Sequence, residues 1–136
     1  MSVEKANWLQ IQLRKIALLI DVFRFRRLIK KLKVDYILSD RYFYDSVVNI
    51  NFLSGNNKKL CAEKYIPKPD FAFYINVNPK IIMQRDRKPD QGMEYLVKKE
   101  KLYKERVKTW NMVIIEGLDP KEDISSQIIN KVLQRN

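Results

Sequence analysis

The stretch Ile37-Leu38-Ser39-Asp40-Arg41-Tyr42-Phe43-Tyr44-Asp45-Ser46 decides how the chain is read. A short apolar run, Asp35 to Ser39, carries little polar content and reads as a strand of buried type. It ends abruptly in an acid and a base, and Tyr42 to Leu53 then reads as a helix. Ser54-Gly55-Asn56-Asn57 closes that helix, because glycine and asparagine adopt the turn conformations that end helices. A strand that hands over to a helix through Asp-Arg is the local shape of a ligand-binding turn in a parallel α/β sheet, where ligands sit at the carboxyl ends of strands.

The same alternation extends in both directions. Upstream, residues 2–33 read as one long helix with apolar residues at Leu9, Leu13, Ile16, Ile20 and Phe23, all on one broad face. Its end is strongly basic (Arg24, Arg26, Arg27, Lys30, Lys31, Lys33), which suits the negative end of the helix dipole. Downstream, Pro67-Lys68-Pro69-Asp70 is a rigid loop and Phe71 to Val77 a second strand. Asn78-Pro79 is a cap followed by a proline, and the helix it starts is expected to reach Arg87. Lys88 to Gly92 breaks it, Glu94 to Trp110 is a charged helix, and Met112 to Glu116 is a third strand. Asp119-Pro120 repeats the cap-then-proline start before a last helix. Strands alternating with helices predict an α/β fold with a parallel sheet covered by helices.

Bulk properties narrow the function. The 136 residues suit one domain with a core of its own, and a hydrophobic content of 46% excludes a disordered tail. One cysteine, Cys61, makes no internal disulfide, and with no histidine the chain is almost without zinc ligands. The longest apolar run near the start, Ile16 to Ile20, is too short to cross a bilayer, and residues 1–5 lack a cleavable signal's pattern, so a cytoplasmic location without a membrane partner is expected. The net charge of +11 predicts an anionic partner: a nucleotide, a nucleic acid or an acidic surface. At the Asp40-Arg41 turn, a guanidinium fork suits bidentate phosphate binding and a neighbouring carboxylate suits magnesium, directly or through water. A surface ion pair capping the next helix explains the dipeptide taken alone.

Further segments point one way. Leu18-Leu19-Ile20-Asp21-Val22-Phe23-Arg24, then Asp40-Arg41-Tyr42 with Ser46, then Pro67-Lys68-Pro69-Asp70 before a strand, then Asn78-Pro79 to Arg85-Asp86-Arg87, then Glu94-Tyr95 and Tyr103 occur in that order. In this order and spacing the chain, from about Leu18 to its C-terminus, resembles the thymidylate kinase family. The resemblance implies a P-loop-kinase-like three-layer fold over residues 1–136 and transfer of a phosphoryl group from ATP to dTMP, giving ADP and dTDP, with Mg2+. It implies that Arg24 and Arg41 bind the monophosphate, that Asp40 organises the metal and the acceptor, and that Tyr95 lies near the nucleoside. It places a lid at about residues 85–94, with Arg85 near the adenine and Arg87 near the transferring phosphoryl group.

The sequence departs from that family in two places. Gly55, Gly92 and Gly117 are its only glycines, and none fits the glycine-rich loop that cradles a nucleotide's phosphates. The family's first strand, loop and helix are therefore expected to be absent, leaving the unit truncated and impaired by itself, with a complementing N-terminal segment or a homodimer to cover the open sheet. Ile20 stands where the family usually has an aromatic that stacks on the base. The alternatives are a basic nucleic-acid-binding module and a non-catalytic nucleotide-binding remnant.

Overall fold

The computed structural model describes residues 6–87 and 89–134. The expected helix start at residues 2–5, and Lys88 within the expected lid, lie outside the described residues. The chain divides into two compact units, Met1–Pro67 and Lys68–Asn136, and each is described by itself.

The first unit is helical. Helix α1 spans Trp8–Lys31. Its start is an Asn-x-x-Gln capping box: Gln10 N donates to Asn7 Oδ1 at 2.9 Å and Asn7 N donates to Gln10 Oε1 at 3.2 Å, so two otherwise unpaired amides are satisfied reciprocally. Helix α2, Phe43–Ser54, ends at Gly55, whose φ of +64° is the left-handed conformation that a side chain would resist. The core lies between these helices. Leu18 and Val22 of α1 are buried, and so are Tyr44, Val47, Val48 and Ile50 of α2. A 3₁₀ turn at Cys61–Lys64 follows. It is held near α1 by Arg26, whose Nη1 donates to Tyr65 O at 3.2 Å, and by the Phe23–Tyr65 ring contact at 5.4 Å.

The expected strand at Asp35–Ser39 does not form. The chain there has no ladder, every residue from 31 to 40 is exposed, and Leu38 is 97% exposed. The β-prone composition is real, but a strand exists only through a hydrogen-bonded neighbour, and among the described residues nothing pairs with this segment.

The second unit is a βαβ arrangement. Strands β1 (Ala72–Asn76) and β2 (Met112–Glu116) pair in parallel, with Ala72 opposite Met112 and Asn76 opposite Glu116. The crossover carries α3 (Pro79–Met83) and α4 (Gly92–Arg106), as a parallel connection requires. Asn78 caps α3 as expected, Lys80 N donating to Asn78 Oδ1 at 2.9 Å. The helix stops at Met83 and not near Arg87, because Gln84 N and Arg85 N bond back only three residues, to Ile81 O and Ile82 O, which tightens and ends the last turn. Helix α5 spans Lys121–Leu133 with Pro120 at its cap. Asp119 does not fill the capping role foreseen for it; its Oδ2 accepts instead from Gln127 Nε2 at 3.1 Å. Tyr74 of β1 stacks on Tyr103 of α4 with centroids 5.1 Å apart, Tyr103 meets Trp110 edge-on, and the Arg106 guanidinium lies 5.6 Å over the Trp110 ring.

The turn after β2 is tight. Gly117 N donates to Asn76 O at 2.8 Å. A Cβ at Gly117 would lie 2.4 Å from Val77 Cγ2, 2.7 Å from Ile75 Cγ2 and 3.2 Å from Asn76 O. Gly117→Ala is expected to lower stability by about 1–3 kcal/mol through overpacking. A urea titration should show it as a reduced midpoint, whereas the same change at Gly55, with open space around its Cβ, should act only through backbone strain.

Candidate functional site

In the first unit the Asp40-Arg41 turn leads straight into α2. Arg41 has φ +53°, a left-handed backbone at a residue other than glycine. Such a conformation costs about 1–3 kcal/mol and persists only where the surroundings over-determine it. Here they do. Tyr42 OH donates to Pro67 O at 2.6 Å, and Asp45 N donates to Tyr42 O at 2.8 Å. The Tyr42 ring sits 5.0 Å from Phe43, 5.3 Å from Tyr44 and 6.0 Å from Phe25, each close to edge-on. Phe25 also meets Phe43 at 5.3 Å. Residues on both sides of the turn are thus held, and Arg41 takes the conformation that is left.

That turn borders a cavity of about 190 Å³ lined by Phe25, Ser39, Arg41, Tyr42, Phe43 and Ser46. It brings together a guanidinium, two hydroxyl-bearing serines, aromatic walls and the first residues of α2. The N-terminal end of a helix presents unpaired amides and positive potential, so an anion is favoured there. Drug-sized ligands occupy pockets of about 300–1,000 Å³; this cavity suits a phosphate or a sugar-phosphate end, with the remainder of a nucleotide outside it. A larger depression of about 510 Å³ runs along Val97, Glu100, Lys101, Lys104 and Glu105. It is the open flank of one helix, it contains an internal Lys104–Glu100 ion pair at 2.6 Å, and none of the expected site residues lines it.

The other expected residues are placed as follows. Arg24 is exposed on α1, next in sequence to the cavity's Phe25, and Asp40 is exposed beside Arg41; neither lines the cavity. In the second unit Arg85 and Arg87 are exposed in the bends that follow α3. Tyr95 is half-buried on α4, where its hydroxyl accepts from Lys99 Nζ at 3.2 Å, and the same ammonium lies 5.5 Å from its ring centre. Phe25 and Ser39 were not foreseen as site residues. Phe25 offers one signal, an aromatic interrupting the basic run Arg24 to Arg27.

Asp40 is a single carboxylate, and among the described residues no group of three or more His, Cys, Asp or Glu could hold a metal ion. Magnesium takes one or two carboxylates plus phosphate oxygens, so Asp40 fits a metal only together with a phosphate ligand. The triphosphate of ATP has no fit here: Gly55 ends α2, Gly92 opens α4 and Gly117 packs against β1, so no glycine forms a phosphate cradle.

Burial pushes the Tyr42 hydroxyl up to about 12, with the neighbouring Tyr44 adding to the shift. The folded value lies above the ordinary 10, so this contribution to stability is fully present below pH 10 and is lost as pH rises through about 12. Tyr42→Phe should therefore flatten the alkaline loss of stability between about pH 10 and 12, as read by denaturant midpoints across that range. It should also cost about 0.5–1.5 kcal/mol at neutral pH for the lost bond to Pro67 O.

No family model and no solved structure matches the chain. It is similar to two curated proteins, each described as a probable thymidylate kinase. The one from Sulfurisphaera tokodaii is 24% identical over 134 residues, which cover 93% of this chain and 70% of the relative. The one from Archaeoglobus fulgidus is 26% identical over 106 residues, which cover 72% of this chain and 53% of the relative. The chain thus spans about half the length of the second relative. Together these likenesses support a thymidylate-kinase-like relationship that reaches across most of the chain.

Proposed function

We propose that this chain is the acceptor-binding part of a nucleotide kinase of thymidylate kinase type, acting in the reaction ATP + dTMP to ADP + dTDP. The observation that carries the reading is the strained Arg41 at the mouth of a phosphate-sized cavity on the N-terminal end of α2. Support comes from the two relatives, described as probable thymidylate kinases, and from the net charge of +11.

In this reading residues 1–136 work as one domain. The Arg41 fork grips the 5′-phosphate of the monophosphate, Ser39 and Ser46 offer hydroxyls to its oxygens or sugar, and Arg24 adds charge from α1. Asp40 joins a metal ion only when phosphate oxygens supply further ligands. Arg85 and Arg87 belong to the lid and Tyr95 to the nucleoside side. No general base is required, since the acceptor is already anionic; positioning and charge neutralisation carry this chemistry. The cradle for the phosphates of ATP lies outside these residues, so no transfer step is assigned to them. Phosphoryl transfer by this chain is accordingly expected to need a complementing glycine-rich segment. Monophosphate binding is not.

Arg41→Gly separates binding from folding. Glycine accepts φ +53° without strain, so stability should hold or rise slightly. Loss of a charge-assisted bond of about 1.5–3 kcal/mol should weaken dTMP binding by roughly 10- to 150-fold. Calorimetric titration with dTMP, using Arg27→Ala as a surface-charge control, reads this out. Equal weakening by both variants would mean general electrostatic attraction and would sink the assignment of Arg41; a steep, sequence-tolerant affinity for nucleic acid that falls with salt would favour the nucleic-acid alternative.

A further inference from the structure

From Arg24 to Leu38 the first unit mixes exposed cations with exposed apolar side chains. At the end of α1, Arg24, Leu28 and Lys31 share one face by their spacing of four and three, and Leu32 at the cap lies below Leu28. Beyond the helix the apolar strip continues through Val34, Tyr36, Ile37 and Leu38. Leu28 and Leu32 are 49 and 41% exposed, and the other four are 56, 74, 50 and 97% exposed. Arg27, Lys30 and Lys33 are exposed beside them. Between Arg24 and Leu38 there are six basic residues and one acid, Asp35. A contiguous apolar patch of this kind marks a contact surface, unlike apolar residues scattered singly.

We propose that this strip is a docking surface for an anionic lipid bilayer. Charge complementarity selects that partner: Lys and Arg standing directly beside exposed apolar side chains are what an acidic headgroup layer over hydrocarbon requires, and the two attractions add. The apolar residues select against a nucleic acid. Five of the six are aliphatic, and Tyr36 alone offers a ring, whereas single-stranded nucleic acid is held by several aromatic platforms. The surface relief selects against a folded protein, because neither cavity described above is lined by any residue from 26 to 38. A bilayer needs no groove.

The contact is peripheral. Among the described residues no helix is long and apolar enough to cross a membrane, and residues 33–41 make no hydrogen bond between backbone groups. Those groups are satisfied by water and headgroups at the interface but not in the hydrocarbon core, so the side chains enter and the backbone stays at headgroup depth. The expectation of no membrane partner rested on the lack of a spanning run and of a signal pattern, and a surface contact needs neither. The strip ends two residues before Asp40-Arg41, so a docked chain holds that turn close to the headgroup layer.

Flotation of the full chain with vesicles, in the absence of nucleotide, tests the docking separately from the monophosphate reading. Binding is expected on phosphatidylglycerol vesicles and not on phosphatidylcholine vesicles, and it should weaken as salt rises. Lys31→Gln combined with Lys33→Gln should weaken it roughly 25-fold, about fivefold for each cation. Leu38→Ser should weaken it about tenfold or more while leaving helical circular dichroism unchanged, because the side chain is exposed. Lys121→Gln combined with Lys131→Gln, exposed cations of α5, should change it little. In a Cys61→Ser background, an environment-sensitive fluorophore on Leu38→Cys should brighten on phosphatidylglycerol vesicles, and one on Ile129→Cys should not. Several results overturn the proposal: no flotation, equal flotation on both lipids, or flotation with a silent label at position 38, which means adsorption by charge alone. So does a label at position 38 that brightens with protein concentration and no vesicles, which means a second copy covers the strip. Brightening on an oligonucleotide but not on vesicles would assign the strip to nucleic acid and overturn it too.

Discussion

The hydrogen bond from Tyr42 OH to Pro67 O, at 2.6 Å, is the constraint on which the site depends. It ties the start of α2 to the loop that ends the first unit. With Tyr42 fixed on one side by that bond and by the Phe25, Phe43 and Tyr44 rings, Arg41 is left in the left-handed region. An arginine there carries a backbone cost that the hydrogen bonds and ring contacts of Tyr42 offset. Strain of this kind is typical of positions where a side chain must be aimed, and the guanidinium of Arg41 borders a small cavity at a helix N-terminus. Fold and candidate chemistry meet at one residue.

The elements legible in the sequence are those set by local chemistry. Strand β2 occupies Met112–Glu116 as its β-branched composition predicts, Asn78 caps α3, and Gly55 ends α2. The elements in which the structure differs from the sequence expectation depend on partners. Asp35–Ser39 has the composition of a strand, but among the described residues no neighbour pairs with it. The run after Asn78 has helical composition, but three-residue back-bonding stops it at Met83. The Asn7–Gln10 capping box was legible in principle, as an Asn followed three residues later by Gln, and was obscured by an expected start nearer residue 2.

The site divides in the same way. Asp40-Arg41 stands out in one dimension because a charged pair follows an apolar run. Ser39 stands two residues before Arg41 in the same stretch, whereas Phe25 of α1 joins the site only through tertiary packing, which a single sequence does not display. Arg24, Asp40, Arg85 and Arg87 are exposed, as surface charges and ligand-gripping charges both are, so their roles rest on the family likeness. The 20 or more percentage points by which Leu38 exceeds Trp8, the next most solvent-open apolar side chains being Tyr36 and Trp8 at 74% and 73%, mark the segment before Asp40 as the least satisfied part of the first unit.

The most direct test is a backbone amide NMR titration of the full chain with dTMP. Saturable shifts centred on Ser39, Arg41, Tyr42 and Ser46 are expected, with Phe25 and Arg24 following, and without any added phosphate donor. Absence of shifts at these residues, or shifts confined to the flank of α4 around Lys101, would contradict it.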